Sequence, residues 1–378
     1  MNEKIRIESA ETFDQLAERY RGEILLHCYR MLGSLHDAED ATQETLLRAW
    51  RGLERFEGRA SPRAWLYRIA TNACLTALAR AKTRRVLPET QGPPVAFAPL
   101  GERDEEIAWL EPYPDAALDN IRDLAPGPEA RYDTREAIQL AFIAAIQELP
   151  SRQRATLLFR DVLGWSARET ADVLESSVAS VNSALQRART TLRRLFPDGE
   201  IETPPVPDDR QRVLLGRYVR AWESSDIDAF VALLKEDAVW TMPPWRQWFV
   251  GRPTIRAFLG WAWRPERGRR QRLVATAANG LPAFGYYRSE RGGSEWHAFA
   301  IQVLTLRDDT VGAEVERVAN GAEVLFVERG GPVRVGDSDR DETGTPCHGG
   351  LFHLGTSYPQ DSRDRPNSSV FGPRQEDR

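Results

Sequence analysis

Proline sets the divisions of this chain. One break runs through Pro88, Pro93, Pro94, Pro99, Pro112, Pro114 and Pro126, and a second is Thr203-Pro204-Pro205-Val206-Pro207. Inside a helix, proline removes a backbone hydrogen bond and clashes with the preceding turn, so neither break can lie within one. Helical periodicity fills the chain on both sides of the first break; alternation appears only after the second. The expected divisions are a helical domain at residues 10–86, a linker at 87–130, a second helical domain at 131–198, a short linker at 199–209, an α+β domain at 210–320 and a tail at 336–378. The tail is rich in Asp, Arg, Gly, Ser and Pro with little to bury, and is expected to be disordered.

In the first unit Phe13, Leu16, Ala17, Tyr20 and Ile24 recur at helical steps, and Ala38, Ala41, Thr45, Ala49 and Leu53 form a second stripe after Gly33-Ser34. Pro62 sits where a first helical turn tolerates it, so Trp65, Leu66, Ile69, Ala70 and Ala73 predict a third helix. The first linker is acidic at Glu102, Asp104, Glu105, Glu106 and Glu111, but Trp109, Leu110 and Tyr113 predict that it docks. Beyond Asp209, Leu214, Tyr218 and Trp222 mark one helix and Ile227–Leu234 a second; Ala238–Met242 and Ala298–Leu306 read as strands.

With 378 residues, 41% hydrophobic and 28% charged, the chain can bury ample core without staples. Its net charge of -5 argues against a generic nucleic-acid coat, yet basic residues crowd at Arg80–Arg85 and Arg187–Arg194. Local charge is what DNA responds to. Cys28, Cys74 and Cys347 lack metal-ligand spacing and fit a reduced compartment. Met1–Phe13 shows no secretory signal, and Ala137–Ile146 is too short to cross a bilayer. A cytoplasmic protein without membrane contact, metal or cofactor is expected.

Ser166–Leu195 carries the sharpest local signal. Ser166 and Glu169 form a capping box that should start a helix at Ala167 and run it to about Leu174; Ser177 can cap the next. In that second helix Val178, Val181, Leu185, Ala188, Leu192 and Leu195 make a stripe for burial. The opposite face presents Ser180, Asn182, Ser183, Gln186, Arg187, Arg189 and Arg193. Small residues at its start let a backbone approach closely, Asn and Gln can read base edges, and Arg can pair with guanine or phosphate. A plain solvated face is the competing reading. The same holds for Asp40, Gln43, Glu44 and Leu47, a mixed acidic and apolar face that can dock a basic partner or stay solvated.

The run Asp37-Ala38-Glu39-Asp40-Ala41-Thr42-Gln43-Glu44-Thr45-Leu46-Leu47-Arg48-Ala49-Trp50 resembles the core-binding helix of extracytoplasmic-function (ECF) sigma factors. Fifteen residues on, Trp65-Leu66-Tyr67-Arg68-Ile69-Ala70-Thr71-Asn72 resembles their minus-ten helix, and the helix-turn-helix, with Leu149-Pro150 before it, resembles their minus-thirty-five reader. The resemblance covers about half the chain. It implies that Asp40, Gln43, Glu44 and Leu47 meet the polymerase β′ clamp helices, with the β subunit as a further contact. It also implies that Arg68, Asn72, Arg80, Lys82, Arg84 and Arg85 hold the melted minus-ten strand, where unstacked bases need polar walls and nearby cations. The acidic linker would lie in the RNA exit path.

Further on, Tyr218–Phe230, Glu236–Pro244 and Trp248–Arg252 resemble the opening of a SnoaL-like, NTF2-like domain, a cone of helices on a curved sheet. The implied fold is therefore multidomain: an all-α half with sigma region 2 and a helix-turn-helix region 4, then an α+β cone. The cone would regulate sigma activity, and Trp240, Met242, Trp248, Phe249 and His297 are its candidate pocket for a small-molecule ligand. The pattern departs after Leu306, which leaves closure of the cone open. Two other readings stand beside the sigma factor with core polymerase and promoter DNA as partners. One is a ligand-sensing helix-turn-helix regulator; the other is a cone-fold enzyme drawing on Asp226, Asp228, Asp237, Tyr286, Tyr287 or His297, although no catalytic dyad emerges.

Overall fold

The computed structural model describes residues 10–56, 58, 60–80, 85–96, 99–104, 106–118, 121, 136–196, 207–264, 268–289, 293–307 and 310–318. The expected tail and most of the linker at 199–209 lie outside these residues.

Three helices open the chain: α1 (Ala10–Leu32), α2 (Leu35–Gly52) and α3 (Pro62–Arg80). Ser34 caps α2 by accepting from the Asp37 amide at 3.1 Å. Gly33 turns the chain at φ 71°, and a Cβ there would meet Leu110 Cδ1 at 2.8 Å. Glycine is needed here twice over, for the left-handed turn and for the close approach of the linker.

The second helical unit comprises α4 (Leu140–Gln147), α5 (Ser151–Leu157) with a π-helical continuation at Leu158–Val162, α6 (Ala167–Val173) and α7 (Val178–Leu195). Both halves of the Ser166–Glu169 capping box are made. The side-chain and backbone hydrogen bonds of Ser166 hold the Glu169 carboxyl below the usual carboxylate range. Ser177 caps α7 through the Ser180 amide at 3.1 Å.

The two helical units share one apolar core. Ile24, Tyr29, Met31 and Leu66 pack with Phe142, Ile146, Leu158 and Phe159 in a single cluster. Arg154 of α5 donates to the carbonyls of Met31 and Gln147, and Arg30 Nε donates to the Ala137 carbonyl at 3.0 Å. His27 sits at this junction, Nε2 2.9 Å from Thr71 Oγ1 and its ring 5.3 Å from Phe159.

Burial, reinforced by the Arg30 charge, pushes the His27 imidazole down to about 3. The unfolded chain therefore binds the extra proton between about pH 6.5 and 3, so this contribution is whole above about 6.5 and is lost as pH falls. At pH 5 the loss is about 2 kcal/mol at 1.4 kcal/mol per unit. Urea midpoints at pH 7 and 5 should fall less for His27→Gln, which keeps a neutral partner for Thr71. Equal falls would clear His27 of this role.

The third unit contains α8 (Asp209–Glu223), α9 (Ile227–Leu233), β1 (Leu234–Thr241), β2 (Trp248–Val250), α10 (Arg252–Ala262), β3 (Arg270–Ala278), β4 (Leu281–Ser289), β5 (His297–Arg307) and β6 (Thr310–Val318). One sheet runs in the order β2-β1-β6-β5-β4-β3. The β1–β6 pair is parallel and the others antiparallel. The sheet continues past Leu306, because β6 pairs with β5 from Arg307↔Thr310 onward and also with β1. Tyr218, Trp222, Phe230 and Trp240 form the aromatic centre between helices and sheet.

The proline-rich linker is docked, as its aromatic residues predict. Trp109, Leu110 and Tyr113 are buried, and Val86 bridges to Trp109. Glu111 is buried as well, its Oε2 accepting from Ser34 Oγ at 2.8 Å and the Leu35 amide at 2.9 Å. A carboxylate at the positive end of α2 is well placed electrostatically. The same strap crosses to the third unit: Trp245 Nε1 donates to the Gly101 carbonyl at 2.9 Å, and Arg246 pairs with Asp104.

Candidate nucleic-acid interface

Helix α7 divides sharply by burial. Val181, Ala184, Leu185, Ala188 and Leu192 face the core. Val178 and Leu195, expected in that stripe, are exposed, because they lie at the ends of the helix beyond its packing partners. Ser180, Asn182, Ser183, Gln186, Arg187 and Arg193 are exposed together on the opposite side.

Arg189 departs from this face. Its Nε and Nη2 donate to the two carboxylate oxygens of Asp161 at 2.9 and 2.6 Å, and Asp161 is 1% exposed. The guanidinium fork is committed inside the domain, tying α7 to the π turn. Arg189 is therefore engaged within the domain in this arrangement, unlike the exposed polar residues of α7.

On α3, Arg68 and Asn72 are exposed one turn apart, with Thr76 and Arg80 exposed farther along. Arg68 also lies 4.0 Å from Glu175 in the turn between α6 and α7. Lys82 and Arg84 lie outside the described residues. Arg85 corrects a second expectation: it donates to the Trp109 carbonyl at 2.8 Å, approaches Glu111 Oε1 at 3.4 Å and pairs with Asp37. It anchors the strap to α2, and its charge is already matched. Trp65 packs within the core, 4.6 Å from Phe56 between ring centroids.

Asp40 and Gln43 are exposed on α2, Glu44 pairs with Arg48 at 2.6 Å, and Leu47 is 49% exposed. Trp50 is 57% exposed beside Leu47. Sequence reasoning missed Trp50 as a member of this face, although its three-residue offset from Leu47 is the signal that could have found it. An exposed Leu–Trp pair flanked by carboxylates suits a protein partner with basic and apolar surface.

The third unit and the strap together line an open-sided cavity of about 860 Å³. Trp240 and Met242 line it as expected. Trp248, Phe249 and His297 do not. Trp248 Nε1 donates to the Gly92 carbonyl at 3.0 Å, fixing the strap instead, and Phe249 is fully buried against Phe258. His297 is exposed at the start of β5. Among the candidate acid–base residues only Tyr286 lines the cavity. Asp226 caps α9 through the Ala229 amide at 2.9 Å, Asp228 pairs with Arg256, and Asp237 lies 3.2 Å from Lys235.

No helix of the described residues is long and apolar enough to cross a membrane. Residues 16–84 match the Sigma-70 region 2 family, 139–192 match Sigma-70, region 4, and 215–312 match the SnoaL-like domain. The chain is 44% identical over 303 residues to the ECF RNA polymerase sigma factor SigG of Mycobacterium tuberculosis, covering 79% of each chain. It is 27% identical over 191 residues to the ECF RNA polymerase sigma factor SigW of Bacillus subtilis, covering 50% of this chain and 90% of the relative. The crystal structure of the extracytoplasmic function sigma factor SigJ from Mycobacterium tuberculosis aligns with TM-score 0.48 at 22% identity, covering 82% of this chain and 96% of that one.

Proposed function

The chain belongs to the ECF RNA polymerase sigma factors, and from that membership we propose that it binds core polymerase through α2 and reads promoters through α3 and α7. Asp40, Gln43, Glu44 and Leu47 make the polymerase contact, with Trp50 added to the same face. Arg68, Asn72 and Arg80 hold the melted minus-ten strand, and Lys82 and Arg84 extend that set. Ser180, Asn182, Ser183, Gln186, Arg187 and Arg193 enter the minus-thirty-five major groove. The observation that carries the reading is the exposed polar face of α7 opposite the packed residues Val181, Leu185, Ala188 and Leu192.

The C-terminal domain regulates this activity. In support, of the acid–base candidates only Tyr286 stands among the described residues lining its cavity, with no carboxylate or imidazole beside it to form a dyad. Regulation works through closure. Tyr67 of α3 meets Trp165 and Phe159 at ring centroid distances of 5.3 and 5.9 Å, so the minus-ten helix packs on the helix-turn-helix unit. Promoter elements about 25 base pairs apart lie roughly 85 Å apart along B-DNA at 3.4 Å per step. Two units sharing one core cannot span that distance, so the closed form must part when polymerase and promoter are engaged.

Mixing the purified chain with core polymerase should give promoter-specific initiation. Asp40→Arg should weaken core binding about tenfold or more, with thermal stability unchanged because Asp40 is exposed. No initiation on any genomic template, together with unaltered core affinity for Asp40→Arg, would overturn the reading.

A further inference from the structure

We propose that the cavity of the C-terminal domain binds a planar aromatic carboxylate, with the inter-domain strap as one of its walls. Trp222, Trp240, Trp245, Trp263, Tyr286 and Phe299 line the cavity. Flat rings on several sides favour a flat, apolar occupant. The charge is as one-sided as the shape is aromatic. Arg103, Arg264, Arg269 and Arg288 line the same space, and no acidic residue stands among the described lining residues.

Its polar groups are organised in advance. Gln271 Nε2 donates to Ser225 Oγ at 2.8 Å, Tyr286 donates to Gln271 Oε1, and Arg288 Nε donates to the Tyr286 hydroxyl at 2.7 Å. Arg288 also lies over the Phe299 ring at 3.4 Å from its centroid. These contacts fix the guanidinium while giving its terminal N–H groups no acceptor among the described residues. Guanidinium N–H groups held in place without an acceptor are matched by an anionic oxygen. A fork with a fixed plane suits a carboxylate in particular.

Leu100, Gly101 and Arg103 come from the strap that joins the two promoter-reading units. An occupant touching both strap and domain binds the docked form better than the undocked one, and so favours docking. Only the consequence for transcription rests on the sigma-factor reading; the binding site itself does not.

The probe is 2-naphthoate, titrated into the full chain and followed by tryptophan fluorescence and calorimetry. Saturable binding with one site is expected, and the neutral analogue 2-naphthalenemethanol should bind at least about tenfold more weakly. Arg288→Gln should weaken naphthoate roughly tenfold and leave the alcohol unaffected. Arg264→Gln, at an exposed position that folding does not need, should act in the same direction. Absence of saturation, equal affinity for the alcohol, or wild-type naphthoate binding by both variants would overturn the proposal. Naphthoate should also slow hydrogen exchange at the amides of Gly101 and Asp104, which donate to Gln247 Oε1 at 2.8 Å and the Pro244 carbonyl at 3.0 Å. Unchanged exchange at both would remove the strap from the site. None of these measurements uses polymerase, so their failure is distinct from failure of the transcription assay.

Discussion

Replacing Asn279 by glycine should raise promoter-specific transcription by the purified chain and core polymerase by tenfold or more. Asn279 occupies the turn between β3 and β4, fully buried, at φ 54°. Its Oδ1 accepts from the Tyr113 amide at 2.8 Å, and its Nδ2 donates to Tyr29 Oη at 3.0 Å and the Ile138 carbonyl at 2.6 Å. One side chain thus joins the C-terminal sheet to α1, to the strap and to the segment before α4. Neighbouring contacts reinforce the joint: the Asn279 amide donates to the Tyr113 carbonyl at 2.9 Å, and the Gly280 amide to Asp115 Oδ1 at 3.0 Å.

Glycine tolerates the left-handed backbone, so the substitution removes the side-chain bonds without adding strain. Three buried hydrogen bonds at about 1 kcal/mol each come to about 3 kcal/mol. That can shift a closed-to-open equilibrium by about a hundredfold, and transcription reports whatever part of the shift precedes saturation of the open form. Single-round transcription on a promoter template, with circular dichroism to establish that the domains remain folded, makes the comparison. Unchanged output from a folded variant would show that the turn does not restrain the sigma units.

The second large effect separates two arginines that look alike in sequence. Arg189→Ala should strip the buried Asp161 carboxylate of its bidentate partner, at a cost of about 3 kcal/mol or more. A fall in melting temperature of about 4 °C is the expected reading for a chain of this size. Arg187→Ala should leave melting within about 1 °C, because Arg187 is exposed, while promoter affinity falls and the salt dependence of binding loses roughly one phosphate contact. Scanning calorimetry beside DNA titrations at several salt concentrations distinguishes them. Reduced DNA affinity in Arg189→Ala with an unmoved melting temperature would mean that its fork leaves Asp161 to meet DNA.

Most of the secondary structure was legible because its causes are local. Ser166 and Ser177 start the helices they were expected to start, and the π turn is the feature that the apolar spacing before α6 did not announce. The end of the sheet was harder to read. Thr310–Val318 lacks a recognisable pattern but finds partners on both sides, and backbone pairing needs no particular side chains. The cavity was partly legible: Trp240, Met242 and the acid–base candidate Tyr286 were foreseen, whereas Trp222, Gln271 and Arg288 come from elements too far apart in sequence to suggest a common space.

Where helices begin, which faces are apolar, and which family of interfaces α2, α3 and α7 resemble can all be read along the chain. Caps, prolines and periodic stripes act over one or two turns, so a linear reading captures them. Which polar residues remain available depends on the folded arrangement. Arg85 is spent on Asp37 across 48 residues, Arg189 on Asp161 across 28, and Asn279 reaches Tyr29 across 250. Such pairings depend on which distant segments the shared core brings together, and no local spacing encodes that choice.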